Sequence, residues 1–389
     1  MNRIFVVQSK LFSLLLPVIL LTFFPSSGDS RAAHSINSYL RSIEVLLEEN
    51  DIPGAALTIV SKDEVIRTHT WGVRDVALQD VINDETVFRI ASMSKTFAGT
   101  AIGMLVERSL LDLDRSVESF FPGMRLGNGY SHDKITVKHV ASQSTGLMPH
   151  AYSNLLDDGL RFENIKKRVH QIPAVCKPGV CYGYQNVVFS LLQNIVEVTS
   201  TISYSNFLWD NIFEPLEMRR SSVGLEAFVD GDNVSRPHRL VRGKWRTTST
   251  NSAYYSVAAA AGVNATINDM GVWVRAHLGA FPEVLPRAVL DEIHSPVVES
   301  PHRNYFNRWE GIEKAYYGTG WRIMDMFGTR VIHHGGGVRG YRSEMAFIPE
   351  ENIGMVLMIN AESNIMNEVV PLFVKQMLFA KENSEQKSK

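Results

Sequence analysis

Ser92-Met93-Ser94-Lys95 is the first arrangement in the chain whose residue types could do chemistry. Phe97, Ala101, Met104, Leu105 and Arg108 continue from it at helical spacing, which puts the tetrad at a helix N-terminus. Residues three apart on a helix share a face, so the Lys95 amine comes over the Ser92 hydroxyl. A serine hydroxyl needs a base to become a nucleophile, and a lysine withdrawn from water is neutral enough to serve. Helix N-terminal amides favour the negative charge that develops there. Taken alone, Ser-x-x-Lys fits a helix-capping serine beside a solvated lysine equally well.

Two more groups follow. Tyr184-Gln185-Asn186 comes after the turn Pro178-Gly179 and just before a helical run starting near Val188. A tyrosine hydroxyl has an ordinary pKa of about 10. Flanking cations would lower it and let Tyr184 relay a proton to a leaving group. The Asn186 amide can orient both Lys95 and a substrate carbonyl. The third group is His334-Gly335-Gly336-Gly337, followed by Arg339. Gly335 to Gly340 also satisfies G-x-G-x-x-G, but a dinucleotide site needs a helix directly afterwards, and Tyr341 to Ile348 reads as a strand. Glycines on a sheet edge instead admit an extended substrate backbone. The chain has no G-x-S-x-G and no H-E-x-x-H. His132, His139, His150, His333 and His334 lack metal-ligand spacing, so no metal site is expected.

These groups must be positioned by elements that are themselves legible. Ile36, Leu40, Ile43 and Leu47 mark a helix over Ile36–Glu49, and β-rich runs follow at Ala55–Val60 and Val65–Trp71. Helices and loops dominate from Lys95 to about Gly279, clearest at Val188–Val198 and Asn268–Leu278. Strands return at Gly320–Met326, Arg330–His333, Arg342–Ile348 and Gly354–Asn360, and Asn364–Ala380 reads as a last helix. The expected fold is α+β: an antiparallel sheet built from both chain termini and flanked by helices, with a mainly helical lobe inserted. The sheet lobe takes about 34–94 plus 315–380, and the helical lobe about 95–314. A cleft between such lobes is a common place for a site.

Ser-x-x-Lys, Tyr-x-Asn 92 residues later and His-x-Gly another 150 on resemble, in order and spacing, the class C β-lactamase and penicillin-binding (D,D-peptidase, esterase) superfamily of serine hydrolases. The flanks Phe88–Lys95, Ile135–Val140, Ser144–Leu147 and Met345–Pro349 are similar too, and the likeness runs from about Ile36 to Phe379. It implies that Ser92 is acylated, Lys95 assists, Tyr184 is general base and acid, and Asn186 positions substrate. It further implies that His334 stands where the family has the lysine of Lys-Thr-Gly, with the amides of Ser92 and Gly337 as oxyanion donors. Losing that lysine and threonine removes a cation and a hydroxyl that hold a β-lactam carboxylate. Arg339 offers a replacement, and His150 stands close enough in sequence to Gly146-Leu147 to line the cleft. Neither a metal nor an organic cofactor is implied. The implied substrates are β-lactams or D-alanyl cell-wall peptides, with a carboxylesterase or a penicillin-binding sensor of little turnover as alternatives.

Bulk properties narrow the partners. The 389 residues are 45% hydrophobic and 21% charged with net charge −2, so no global field draws the chain to nucleic acid. The basic run His238, Arg239, Arg242, Lys244, Arg246 reads as a solvated loop. Arg3 and Lys10 precede the apolar run Leu11–Phe24 and the small residues Ser26-Ser27-Gly28, the pattern of a secretory signal peptide over 1–28. Extension back through Ile4–Val7 leaves an uncleaved anchor as the alternative, and either way the expected location is periplasmic or secreted. Cys176 and Cys181 flank a Pro-Gly turn, where export permits a disulfide and free thiols remain the alternative. Beyond a small-molecule or peptide substrate no partner is indicated, and oligomeric state is not legible.

Overall fold

The computed structural model describes residues 27–128, 134–301 and 309–385, with side chains described for 33–378 within those ranges. The signal segment through residue 26, His132 and the tail end 386–389 lie outside them. In chain order the strands are β1 Gly54–Val60, β2 Val65–Gly72, β3 Phe88–Arg89, β4 Ser222–Val223, β5 His238–Val241, β6 Lys244–Thr247, β7 Val263–Ala265, β8 Val298–Glu299, β9 Ile312–Tyr317, β10 Arg322–Met326, β11 Thr329–Val338, β12 Tyr341–Ile348 and β13 Ile353–Ile359. Eight of them form one antiparallel sheet in the order β2-β1-β13-β12-β11-β10-β9-β8. The N-terminal hairpin thus pairs directly with the last strand, so both ends of the chain close one sheet.

The pleat decides which side chains go where. In β1, Ala55, Leu57 and Ile59 face one helical layer, while Ala56 and Val60 face the other. The first layer is α1, Ser27–Glu49, packed beside the C-terminal helix Met366–Glu385, with Ile36, Tyr39, Ile43, Val370 and Phe373 buried between them and the sheet. On the opposite face lie the helix Ile267–His277 and α2, Ser94–Glu107. Every residue of α2 from Ser94 to Leu105 is buried, which suits a helix at the centre of a large core rather than an amphipathic surface helix.

Several boundaries differ from the sequence reading. The sheet takes in β8 and β9, so its C-terminal portion begins near Val298 and not at 315. The helix expected at Val188 starts at Leu191, after a tight turn over Val187–Ser190. The basic run is not a loop but the hairpin β5–β6. Its first residue, His238, is buried, with Nδ1 donating to the Asn360 carbonyl at 2.9 Å and Nε2 accepting from the Val76 amide at 3.2 Å. Cys176 and Cys181 are joined as a disulfide with their Cα atoms 6.4 Å apart. Among the described residues no helix is long and apolar enough to cross a membrane.

The turn between β9 and β10 is clamped on α2. A Cβ on Gly99 would lie 2.1 Å from the Thr319 carbonyl oxygen, and one on Gly320, at φ +78°, would lie 2.4 Å from that of Lys95. Only glycine permits this approach of two backbones. Gly99→Ala should therefore cost about 1–3 kcal/mol through overpacking. Urea unfolding checks this, and an unchanged midpoint would show that the helix and turn can separate freely.

Candidate active site

The α2 start begins with a backbone irregularity. Ala91, at φ +50°, opens the 3-10 turn Ala91–Met93 that carries Ser92, and α2 follows at once. Lys95, in the first turn of α2, is fully buried, with Nζ 3.3 Å from Ser92 Oγ. The same nitrogen donates to Asn186 Oδ1 at 2.8 Å and to the Ala260 carbonyl at 3.0 Å. Burial, and secondarily the Arg322 guanidinium, hold its pKa well below the ordinary lysine value. A neutral amine has two hydrogens and one lone pair. The two carbonyl-type oxygens can only accept, so they take both hydrogens, and the lone pair is left for the Ser92 hydroxyl.

Tyr184 sits across this amine, its ring centroid 4.7 Å from Nζ. The Arg322 guanidinium lies 5.4 Å from the same ring, 5.8 Å from that of Tyr182 and 5.5 Å from that of Tyr317. These are the flanking cations that a relay tyrosine needs, although only Arg322 is a permanent charge. Arg322 was not singled out from sequence. Its signal was a lone charged residue within the apolar stretch Trp321-Arg322-Ile323-Met324. The Tyr184 carbonyl accepts from the His150 amide at 2.8 Å, and the two rings are 5.6 Å apart. His150 thus lines the cleft, its pKa lowered by burial and then by Lys95 and Arg322. The disulfide loop is stitched to the segment before it, Gly179 to Ser144 at 2.7 Å and Gly183 to Gln143 at 2.7 Å.

The third group lies on β11, a central strand, and its edge is only local. Pairing with β10 ends at His333 opposite Arg322, whereas pairing with β12 runs on to Val338. From His334 onward one side of β11 is open to the cleft. A Cβ on Gly336 would lie 2.2 Å from the Ile90 carbonyl, so glycine there lets the strand press against the turn that carries Ser92. Ser92, His150, Tyr184, Asn186, Gly335, Gly336, Gly337 and Arg339 all line one cleft of about 750 Å³.

His334 does not line it. Its ring is buried, with Nδ1 2.8 Å from the Gly335 carbonyl and Nε2 3.0 Å from the Tyr317 hydroxyl. A carbonyl only accepts, so Nδ1 carries the hydrogen and Nε2 accepts from Tyr317. Burial, then Arg322 and Lys95, push its pKa well below the ordinary histidine value. His334, which the resemblance sets where the family has a lysine, is thus a neutral imidazole bonded to protein groups. Its neighbour His333 is on the other face of the strand, 2.5 Å from Glu344.

With this geometry in place, the relatives can be compared. A family model described as Beta-lactamase matches residues 41–371. The chain belongs to the Beta-lactamase family. Protein flp of Staphylococcus aureus (strain MW2) is 23% identical over 349 residues, 86% of this chain and 64% of that protein. A D-aminopeptidase of Gluconobacter oxydans (strain 621H) is 26% identical over 315 residues, 79% of this chain and 56% of that protein. The chain thus covers less than two thirds of either curated relative. Among solved structures, an octameric penicillin-binding protein homologue from Pyrococcus abyssi superposes with a TM-score of 0.77 at 23% identity, covering 88% of this chain and 77% of the other. SurE does so with a TM-score of 0.72 at 17% identity, covering 91% and 77%. These likenesses establish the α+β fold of this Beta-lactamase family member.

The lowered Lys95 pKa carries a sign. The amine is a base only above that pKa, so the rate of covalent labelling at Ser92 should rise with pH through an inflection well below lysine's ordinary value. Lys95→Arg, whose guanidinium stays charged, should remove labelling at every pH. Fluorophosphonate labelling from about pH 5 to 9 measures both. Labelling that ignores pH, or that survives in Lys95→Arg, would show that Lys95 is not the base.

Proposed function

We propose that the protein is a serine acyl-hydrolase that works through an acyl-enzyme on Ser92. The observation carrying this reading is the Lys95 amine, buried and lowered in pKa, with both hydrogens engaged and Ser92 Oγ 3.3 Å away. Lys95 takes the Ser92 proton as Oγ bonds to the substrate carbonyl carbon. The tetrahedral oxyanion is met by the amides of Ser92 and Gly337. On collapse the bond to the leaving amine or alkoxide breaks, and Tyr184 supplies the proton that group needs. A water molecule then adds to the acyl carbon, giving its proton back through Tyr184 and Lys95, and Ser92 leaves with a proton.

The substrates this reading favours carry a carboxylate, as penicillin-like rings and D-alanyl peptides do. Arg239 from β5 and Arg339 and Arg342 from the β11–β12 hairpin line the cleft. Arg342 is held by the Val338 and Tyr341 carbonyls at 2.9 and 2.7 Å and lies 3.4 Å from the Cβ position of Gly337. Arg239 is partly spent on Glu362 at 3.5 Å, whereas the exposed Arg339 guanidinium meets no acceptor among the described residues. The Gluconobacter relative is a D-aminopeptidase, and amide hydrolysis is chemistry of the same general kind. Export fits as well, since the N-terminal pattern is that of a signal peptide and the Cys176–Cys181 bond suits an oxidising compartment.

Ser92→Ala should abolish labelling by fluorophosphonate and labelled penicillin together with all turnover, and label found on Ser94 would overturn the assignment. Tyr184→Phe should fold normally and lose about 10²–10⁴-fold in turnover. A panel of nitrocefin, a D-Ala-D-Ala peptide and p-nitrophenyl esters decides substrate class. Arg339→Ala should raise KM for the carboxylate-bearing members and leave neutral esters unaffected. Labelling without turnover on any member would mark a penicillin-binding sensor, and turnover of neutral esters alone would mark a carboxylesterase.

A further inference from the structure

The polar contacts of His334 continue beyond Tyr317 and end at the Tyr-x-Asn loop. Tyr317 meets that loop through its ring, edge-on to Tyr184 at 6.5 Å, and the Gln143 side chain stands near enough to act on the Tyr317 hydroxyl. The Gln143 Oε1 accepts from the Gln185 amide at 2.7 Å, and its Nε2 lies 3.2 Å from the Gln185 carbonyl. Gln185 stands between Tyr184 and Asn186, so one run of polar and ring contacts joins the loop of the second motif to the strand of the third. Gln143 sits at φ +59°, a conformation that a non-glycine residue adopts only when its surroundings hold it there. Gln143, Tyr317 and His334 are all buried, none exposing more than 1% of its surface.

The polarity of this chain is dictated from both ends. The Gln185 amide can only donate, so Gln143 presents Oε1 to it and keeps its two N–H groups for the Gln185 carbonyl and the Tyr317 oxygen. At the other end the Gly335 carbonyl can only accept, so His334 donates from Nδ1 and accepts at Nε2. Tyr317 is then left to accept from Gln143 and to donate to His334. The two assignments meet without conflict.

We propose that Tyr317 and Gln143 are positioning residues, forming with neutral His334 a strut that sets the distance between the Tyr184–Asn186 loop and the open edge of β11. In this role His334 is a hydrogen-bond acceptor, not a charge. A proton on Nε2 would cost the Tyr317 bond and set a cation among Arg322 from β10, Lys95 from α2 and the adjacent His333, with no carboxylate given among the charges acting on it. The inference rests on the acyl-enzyme reading, because the loop and the edge matter only if Ser92 is attacked between them. It adds to that reading three residues that touch neither substrate nor Ser92 and act through Asn186, Tyr184 and the glycines of β11.

Tyr317→Phe keeps the ring and removes the hydroxyl, His334→Gln keeps an acceptor where Nε2 stood, and His334→Arg supplies a permanent cation that cannot accept. Steady-state kinetics on the best panel substrate, across the same pH range, read the outcome, with circular dichroism and melting as folding checks. Tyr317→Phe is expected to lower kcat by about 10–100-fold with KM little changed, since a shift of about 1 Å between reacting groups costs that much. His334→Gln should keep kcat within about threefold of wild type and show the wild-type pH profile, because position 334 is uncharged in both. His334→Arg should resemble Tyr317→Phe. Full activity in Tyr317→Phe would overturn the strut, and a damaged His334→Gln beside an active His334→Arg would overturn it in favour of a cation. Fluorophosphonate labelling of wild-type Ser92 separates the two levels: if it fails, the acyl-enzyme reading falls, and if it succeeds while Tyr317→Phe is normal, only the strut falls.

Discussion

Much of this structure follows from keeping the Lys95 amine out of water. A lysine is seldom fully buried, because transfer of its charge from water is costly and the group gives up its proton instead. Once neutral, it still needs partners for two N–H groups, and these come from Asn186 and from the Ala260 carbonyl. One residue of the Ser-x-x-Lys helix therefore holds two distant segments, and both must be placed before Ser92 has a base. The uninterrupted burial of α2 is the structural form of that requirement. A helix with one wet face would have left Lys95 charged and solvated, the capping arrangement that the tetrad by itself also fits.

The surrounding architecture brings two segments toward that amine by close backbone approach. Gly99 and Gly320 let the β9–β10 turn lie on α2, which places Arg322 at the head of β10 beside three tyrosine rings. Gly336 lets β11 lie against the carbonyl of Ile90, which Ser343 also contacts at 3.0 Å. The early end of β10 then leaves β11 unpaired on the side that faces Ser92. An eight-stranded sheet thus offers an open edge near its middle, where both faces are covered by helices and the edge is protected from other chains.

Charge near the site is arranged with the same economy. Arg322 is the permanent cation inside, and its effect is seen in the depressed pKa values of Lys95, His150 and His334 alike. The guanidinium groups of Arg239, Arg339 and Arg342 line the cleft. Positive charge is thus divided between a buried position that keeps nearby bases neutral and a solvent-facing position suited to an anionic substrate.

The sequence by itself determined the three motifs, their order, and the α+β architecture with strands from both termini. These are local facts: helical spacing after Lys95, alternation in Val65–Trp71 and Arg342–Ile348, glycines in a row after His334. It also put Ser92, Lys95, Tyr184, Asn186 and the glycines in one proposed site, because each motif carries its residues at short range. Tertiary structure alone decided the protonation and direction of side chains. His334 stands where the resemblance places a lysine, yet burial beside Arg322 and the Tyr317 hydroxyl keep it a neutral imidazole. Arg322 and Tyr317 carried only faint signals, because their roles come from strand pairing and ring packing across the 17 residues that separate Tyr317 from His334. The hairpin β5–β6 was hidden for a related reason: what fixes it is the buried His238 bonded to Asn360, 122 residues away. Spacing along a chain reports which groups share a helix face or strand face, but desolvation and hydrogen-bond polarity depend on what packs against them from elsewhere.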